Sequence, residues 1–490
     1  MRNSGILLPI ASLPSKYGIG AFSKSAYDFI DKLKKAGQSY WQILPLGPTG
    51  YGDSPYQAFS TFAGNPYFID LETLIYEGYL TNEECEAYDF GDNDRYIDYE
   101  KVYLSRFKAL KIAYDRSRIS ENEEFQQFIN KNSYWLDDYA LYMSVKNYFL
   151  GISWNKWDYD IKMREPSAIE SFKSKYSDEI TFYKFQQFIF NLQWSKLKNY
   201  ANECGIKIIG DIPIYVAFDS TDAWSHPELF QLDENREPID VAGCPPDAFS
   251  KTGQLWGNPL YNWEKHKKTS YSWWTKRIAH SLKLYDVVRV DHFRGFDEYY
   301  SIPYGSPTAE NGIWRKGPGY DIFKELKYKL GNLNIIAEDL GFLTESVLQL
   351  VKRTGYPGMK VLEFAFDSRE ESDYLPHNYD KNCVVYTGTH DNETIVEWYK
   401  NLNSEDRKLA IDYLNIDNEK DIHWKFIRLA LSSVANLAII PLQDYLGLDN
   451  EGRINKPSTV DNNWKWRLLE DEVTDELVEK IRKITKLYGR

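Results

Sequence analysis

Cysteine is scarce in this chain: four residues in 490, Cys85, Cys204, Cys244 and Cys383. No two form a CxxC pair, which argues against a disulfide framework or zinc site and for buried free thiols. Only seven histidines are present, and no helical His pair or His-rich tract supports a metal centre. Positive charge is outnumbered, with 59 Lys and Arg against 72 Asp and Glu, a net charge of −13. Nucleic acid and anionic membranes both need a basic surface, so neither is expected as a partner. Long hydrophobic runs are also missing. The longest apolar stretch, LALSSVANLAIIPL (429–442), is interrupted by Ser, Asn and Pro and cannot span a bilayer. The opening MRNSGILLPIASLPS is broken by proline and serine before a signal-peptide core could form. A cytoplasmic protein is the expectation.

Several catalytic signatures are absent too: no GxSxG elbow, no HExxH and no phosphate-cradling P-loop. DFGDNDRY (89–96) resembles a calcium loop but lacks the glycine at its sixth position and the distal glutamate. It reads as a solvated turn.

Aromatics, by contrast, are plentiful: 16% of the chain, with 38 Tyr and 15 Trp. That fits a Tyr-rich core and surface as well as it fits a cleft lined with flat rings. Such a cleft suits sugars, whose C–H faces pack on rings while their hydroxyls bond at the rim.

Apolar strand-like runs recur along the chain: GILLPIASL (5–13), YWQILPLGP (40–48), KIIGDIPIYV (207–216), VVRVDHF (287–293), NIIAEDLG (334–341), MKVLEFAF (359–366), CVVYTGTHD (383–391) and LAIIPLQDYLG (437–447). Their apolar stretches suit parallel strands buried on both faces. Helix-like stretches lie between them and stop at Gly37, Gly205 and Gly355, the usual C-terminal stop residue. Eight such units predict an α/β fold, a single catalytic (β/α)8 TIM barrel over 1–490. The extra length falls in a mainly helical insertion at 66–180, between strands two and three, and a loop-rich insertion at 217–280, between strands three and four, which suits a cover for the cleft. The terminal stretch 470–489 reads as an amphipathic closing helix.

In this fold the active site lies at the C-terminal strand ends. Polar residues are placed there: Asp211 on strand three, Asp291 with His292 on four, Glu338 and Asp339 on five, His390 and Asp391 on seven, Asp444 on eight. So many acids at one mouth repel each other unless Arg and His compensate or function requires them. The chemistry left open is that of carboxylates. Retaining cleavage of a glycosidic bond needs a pair of carboxyl groups about 5–5.5 Å apart, one attacking the anomeric carbon, the other an acid and then a base. Adjacent strands four and five supply such a pair. Arg289, two residues before Asp291 on the same face, is placed to keep it ionised. Glu338 follows an apolar run, a setting that raises a carboxyl pKa. Structural ion-pairing inside a barrel mouth is the competing reading; Glu363 and Asp339 are expected to be scaffold.

RVDHFRGF (289–296), AEDLG (337–341) and TGTHDN (387–392) resemble the strand-four, strand-five and strand-seven motifs of the α-amylase clan. SLPSKYGIGAF (12–22), GYGDSPYQ (50–57), GDIPIYV (210–216), GCPPDAFSKTGQLWGNPLY (243–261), PLQDYLGL (441–448) and NKPSTVDNNWKWR (455–467) narrow the resemblance. They are similar to stretches of the 4-α-glucanotransferases of the amylomaltase (disproportionating enzyme) family, glycoside hydrolase family 77. The resemblance implies Asp291 as nucleophile, Glu338 as general acid/base and Asp391 as transition-state stabiliser. It further implies that Arg289, His390 and Asp211 grip the sugar at the cleavage point, with His292 beside them, and that Tyr56 stacks on it. Gln254 and Trp256 would come from a loop over the cleft, and Asn463 would touch substrate or brace that loop. The implied substrates are maltooligosaccharides and α-1,4-glucans, with no required cofactor. The first strand, LLPIASLPS, departs from the family pattern of a histidine and a proline there. An α-amylase-like hydrolase and a silent glucan-binding barrel remain as alternatives; against the first, strand three lacks the Asn-His usual in amylases.

Overall fold

A computed structural model describes residues 2–50, 52–246, 250–341 and 343–490. The expected stretches 50–57 and 243–261 therefore each lie partly outside the described residues, at 51 and at 247–249. Eight parallel strands form the central sheet: β1 (Asn3–Leu7), β2 (Tyr40–Gln42), β3 (Lys207–Pro213), β4 (Val287–Asp291), β5 (Ile335–Ala337), β6 (Gly358–Val361), β7 (Cys383–Tyr386) and β8 (Leu437–Pro441). Hydrogen-bonded neighbours run β6, β7, β8, β1, β2, β3, β4, β5. The remaining seam is stitched by the Ala337 N–H to the Pro357 carbonyl at 2.9 Å. Beside it the Met359 N–H donates to Asp339 Oδ1 at 2.7 Å. The chain folds as a (β/α)8 barrel, and Asp339 is one of the groups holding β5 to β6.

Side-chain alternation sorts the strands into two shells. Leu7, Ile209, Ile336, Met359, Val361, Val384, Tyr386 and Ile439 share one buried cluster, the barrel interior. Ile6, Ile208, Val288, Ile335, Val385 and Ile440 belong to the larger cluster that meets the helices. Continuing the interior parity toward the C-terminal ends brings Asp211, Arg289, Asp291 and Glu338 inward. The register confirms the level: Asp211 lies opposite Arg289, and Arg289 opposite Ile336.

The strands are shorter than the apolar runs that announce them. β2 covers three residues, and after β6 the chain turns into a 3-10 helix at Leu362–Phe364. The helices end where glycine allows a left-handed turn: Gly355 closes Glu345–Thr354 with φ 76°.

The first insertion is helical, with long helices at Tyr99–Ser117 and Glu123–Tyr148. Its expected end at 180 falls inside a continuous 27-residue helix, Ser177–Glu203, which runs on into the barrel layer. The second insertion differs from a loop-rich expectation. It holds strands Asp240–Cys244 and Gln254–Pro259 and helices Trp263–Lys268 and Ser272–Leu284. Its strands join Glu298–Pro303 and Ile313–Lys316, from the connection after β4, in a four-stranded antiparallel sheet. Pro and Gly crowd the local pattern, and the pairing partner lies beyond β4, so the local sequence carries little strand signal.

Cys85 and Cys383 are buried, while Cys204 and Cys244 are half-buried, and none of the four is in a disulfide. Burial is thus less complete than expected. No helix among the described residues is long and apolar enough to cross a membrane.

Candidate active site

Arg289 organises the barrel mouth. Its side chain is almost fully enclosed, and Nη1 meets Asp211 Oδ2 at 2.5 Å while Nη2 meets Asp291 Oδ1 at 3.0 Å. Its Nε points at Met359 Sδ across the interior, 3.4 Å away. An unpaired cation so deep would be costly, and two carboxylates offset that cost.

Asp211 also accepts from the Tyr56 hydroxyl at 3.0 Å, and that hydroxyl lies 2.9 Å from His390 Nε2. With the tyrosine proton given to Asp211, His390 donates from Nε2 and carries no proton on Nδ1, which has no partner. Burial pushes the His390 pKa down, against the opposing pull of Asp391. Tyr56 and His390 stack at 5.3 Å with 14° between planes. Asp211, Arg289, Tyr56 and His390 thus form one bonded wall.

The strand-five carboxyl is anchored beside Asp291. His292 sits in the left-handed region, φ 51°, which is costly for a residue with a Cβ and is characteristic of functional turns. That turn aims the His292 N–H at Glu338 Oε2, 2.6 Å away, while Leu340 N–H donates to Oε1 at 3.0 Å. Glu338 is therefore fastened to the residue next to Asp291. Burial pushes both carboxyls above their ordinary range, with Arg289 the main opposing influence at each. Arg289 stands where the sequence puts it, and its charge opposes the desolvation of Asp291. The Glu338 charge adds to the upward push on Asp291. His292 is half-buried, and its pKa is pushed down to about 3 by desolvation and then by Arg294. A neutral imidazole with an unpartnered Nε2 faces the site.

Asp391 is more open. His390 Nε2 lies 3.4 Å from its Oδ1, and Asn455 Nδ2 donates to the same oxygen at 2.6 Å. Arg453 Nη2 donates to the Asp391 carbonyl at 2.9 Å. Asn455 and Arg453 were missed as site residues although NKPST was noted, because the contact spans 64 positions along the chain. Behind this loop, the Thr387 hydroxyl and Ile395 N–H donate to Asp444, at 2.5 and 2.9 Å. Asp444 is buried, with its pKa raised to about 6 by desolvation; it braces the loop rather than opening to the mouth. Glu363 is scaffold of the same kind: its carboxyl lies against Gly388 and burial holds it well above its ordinary range.

The cover residues are placed as follows. Trp256 meets His292 edge-on, centroids 4.8 Å apart at 86°, and its Nε1 donates to Gln254 Oε1 at 3.1 Å. Asn463 turns to its own loop: Oδ1 accepts from Lys456 N–H at 2.9 Å, and Nδ2 donates to the Thr459 carbonyl and Oγ1 at 2.9 and 3.1 Å. It braces residues 456–463, not the Gln254–Trp256 strand.

A mouth of half-buried carboxyls on neighbouring strands, flanked by neutral imidazoles and rings, suits acid–base and nucleophilic work on an uncharged polyol. Comparison with known proteins agrees. The family model described as 4-alpha-glucanotransferase matches residues 8–472. The 4-alpha-glucanotransferase of Clostridium butyricum is 53% identical over 98% of this chain and 99% of its own length. That of Streptococcus pneumoniae is 48% identical over 100% and 97%. The amylomaltase from Streptococcus agalactiae, solved in complex with acarbose, superposes with a TM-score of 0.97 at 40% identity, covering 100% of both chains. On this evidence the chain is an enzyme that belongs to the 4-alpha-glucanotransferase family.

Proposed function

We propose that the enzyme moves a segment of an α-1,4-glucan onto the 4-hydroxyl of glucose or of another α-1,4-glucan, with retention, through a covalent glycosyl–Asp291 intermediate. An Asp291 carboxylate oxygen attacks the anomeric carbon as the glycosidic C–O bond breaks. Glu338 gives its proton to the departing oxygen. The shortened glucan leaves, an acceptor 4-hydroxyl gives its proton to the Glu338 carboxylate, and its oxygen displaces Asp291. Asp391 binds hydroxyls of the sugar as it flattens toward an oxocarbenium ion. Arg289, Asp211, Tyr56 and His390 hold that sugar. Each role falls on a side chain of this chain, so the cycle needs no added group.

The observation that carries this reading is the fastening of Glu338 to the His292 N–H, beside Asp291. Transfer rather than hydrolysis requires the acceptor to outcompete water at the intermediate; the strand bearing Gln254 and Trp256 over the mouth supports that choice. The acarbose-bound Streptococcus agalactiae amylomaltase supports an oligosaccharide in the same groove here. Four cysteines outside any disulfide support a reducing compartment, the cytoplasm. The test is incubation with maltotriose while following products and reducing ends. Glucose plus a ladder of longer oligomers at constant reducing ends is the expected result. Rising reducing ends would make it a hydrolase, and untouched maltotriose a binder.

A further inference from the structure

The antiparallel sheet beside the mouth ends in an unusual edge. All four side chains of Ile313–Lys316 are exposed, among them Trp314 at 39%. The ring is nevertheless held in place. The Arg294 guanidinium lies 4.0 Å from its centroid, and Tyr300 meets it edge-on at 5.2 Å and 60°. A large, partly exposed ring fixed on one face and one edge is a preorganised platform.

Its position ties it to the reaction centre. Arg294 follows Asp291 by three residues, in the 3-10 turn Phe293–Phe296. The sheet register places Leu255 opposite Gly243, Gly243 opposite Tyr300, and Tyr300 opposite Trp314. These four positions share one face and span three inter-strand steps, roughly 14 Å. Leu255, itself 41% exposed, is next to Trp256 on the covering strand, with its side chain on the opposite sheet face. The row therefore runs from the strand that covers the mouth to the outer edge carrying Trp314.

The chemistry decides which side of the scissile bond this is. The residues gripping the attacked sugar (Tyr56, Asp211, Arg289 and His390) are bonded together on one wall. The oxygen that leaves, and later the oxygen that arrives, must reach Glu338, because that group gives and takes its proton. Glu338 is bonded to His292, whose ring abuts Trp256. The acceptor thus lies along His292 and Trp256, with Arg294 and Trp314 beyond.

We propose that Trp314, stacked on Arg294, forms an outer acceptor subsite, where the ring packs on the C–H face of a glucose unit several residues along an incoming α-1,4-glucan. The subsite rests on the transfer reaction proposed above and deepens it. A chain held at both ends of the row stays at the mouth longer than a short sugar or water, which favours long acceptors.

The experiment uses the full chain with amylose as fixed donor and reducing-end-labelled glucose, maltose, maltotetraose and maltoheptaose as acceptors. In Trp314→Ala, the KM for maltotetraose and maltoheptaose rises about five- to tenfold relative to the KM for glucose in the same variant. Trp314→Tyr, which keeps a ring, restores most of that ratio. A shift of equal size for every acceptor, or no shift at all, overturns the subsite; the former would make Trp314 a structural prop for Arg294. Failure of the wild-type enzyme to extend any labelled acceptor would instead overturn the transfer reaction itself.

Discussion

Arg289 and Asp211 form an ion pair at 2.5 Å with side chains only 4% and 0% exposed, in a register where β3 and β4 bring them face to face. Removing one partner leaves a buried charge short of compensation. Asp211→Ala should lower stability by about 3–5 kcal/mol, read as the denaturant midpoint. A double variant with Arg289→Met should lose less than the sum of the two single losses. Additive losses would mean that the pair does not act as one unit.

The two central carboxyls set the pH dependence. In the active form of the proposed mechanism the pair carries one proton, with Asp291 ionised and Glu338 protonated. A second proton at low pH silences the nucleophile, and loss of the last proton at high pH silences the acid. Burial raises both groups, so both limbs of the kcat/KM profile should lie at higher pH than free carboxylates would place them. Glu338→Gln should abolish the alkaline limb. His292, pushed down to about 3, contributes no limb near neutrality. Persistence of the alkaline limb in Glu338→Gln would assign it to another group.

Asp291→Asn and Glu338→Gln should each cost roughly a thousandfold or more in turnover, from loss of the nucleophile or of the proton donor. In Glu338→Gln, an activated glycosyl fluoride should recover much of the glycosylation step, since fluoride leaves without a proton. Near-normal turnover in either variant on maltotriose would discard the role assignments.

Asn455 donates to Asp391 Oδ1 at 2.6 Å. Asn455→Ala frees that carboxylate to rotate, and a small misplacement of a catalytic group costs on the order of a hundredfold. The expected signature is a fall in kcat of roughly ten- to a hundredfold with a smaller change in KM, measured on maltotriose. A change confined to KM would place Asn455 in ground-state binding instead.

A Cβ at Gly388 would stand 2.5 Å from Glu363 Oε1, in the loop that presents His390 and Asp391. Gly388→Ala should therefore displace the loop and lower activity by at least about tenfold. Because burial keeps Glu363 well above its ordinary range, its neutral form is the one that fits. Glu363→Gln, the isostere of that form, should retain activity within about twofold, with a destabilisation below about 1 kcal/mol. Loss of activity in Glu363→Gln comparable to Gly388→Ala would show that the charge matters.

The barrel was legible because its signal is local. Apolar runs such as KIIGDIP and VVRVD announce strands buried on both faces, and period-two alternation sends Asp211, Arg289 and Asp291 inward once the inward position of Ile209 is known. The four-stranded sheet was not legible, because Asp240–Cys244 pairs with Glu298–Pro303 across the whole of β4. The roles of Asn455 and Arg453 were hidden for the same reason.

The direction of the Asp291 pKa shows the limit most clearly. The order of residues already puts an arginine two positions before the aspartate on the same strand face, and a glutamate at the end of the next strand. How much water those groups lose is set by folding, since desolvation depends on every element closing over the mouth. A nearest-neighbour charge is written along the chain; the dielectric around it is made by residues hundreds of positions apart.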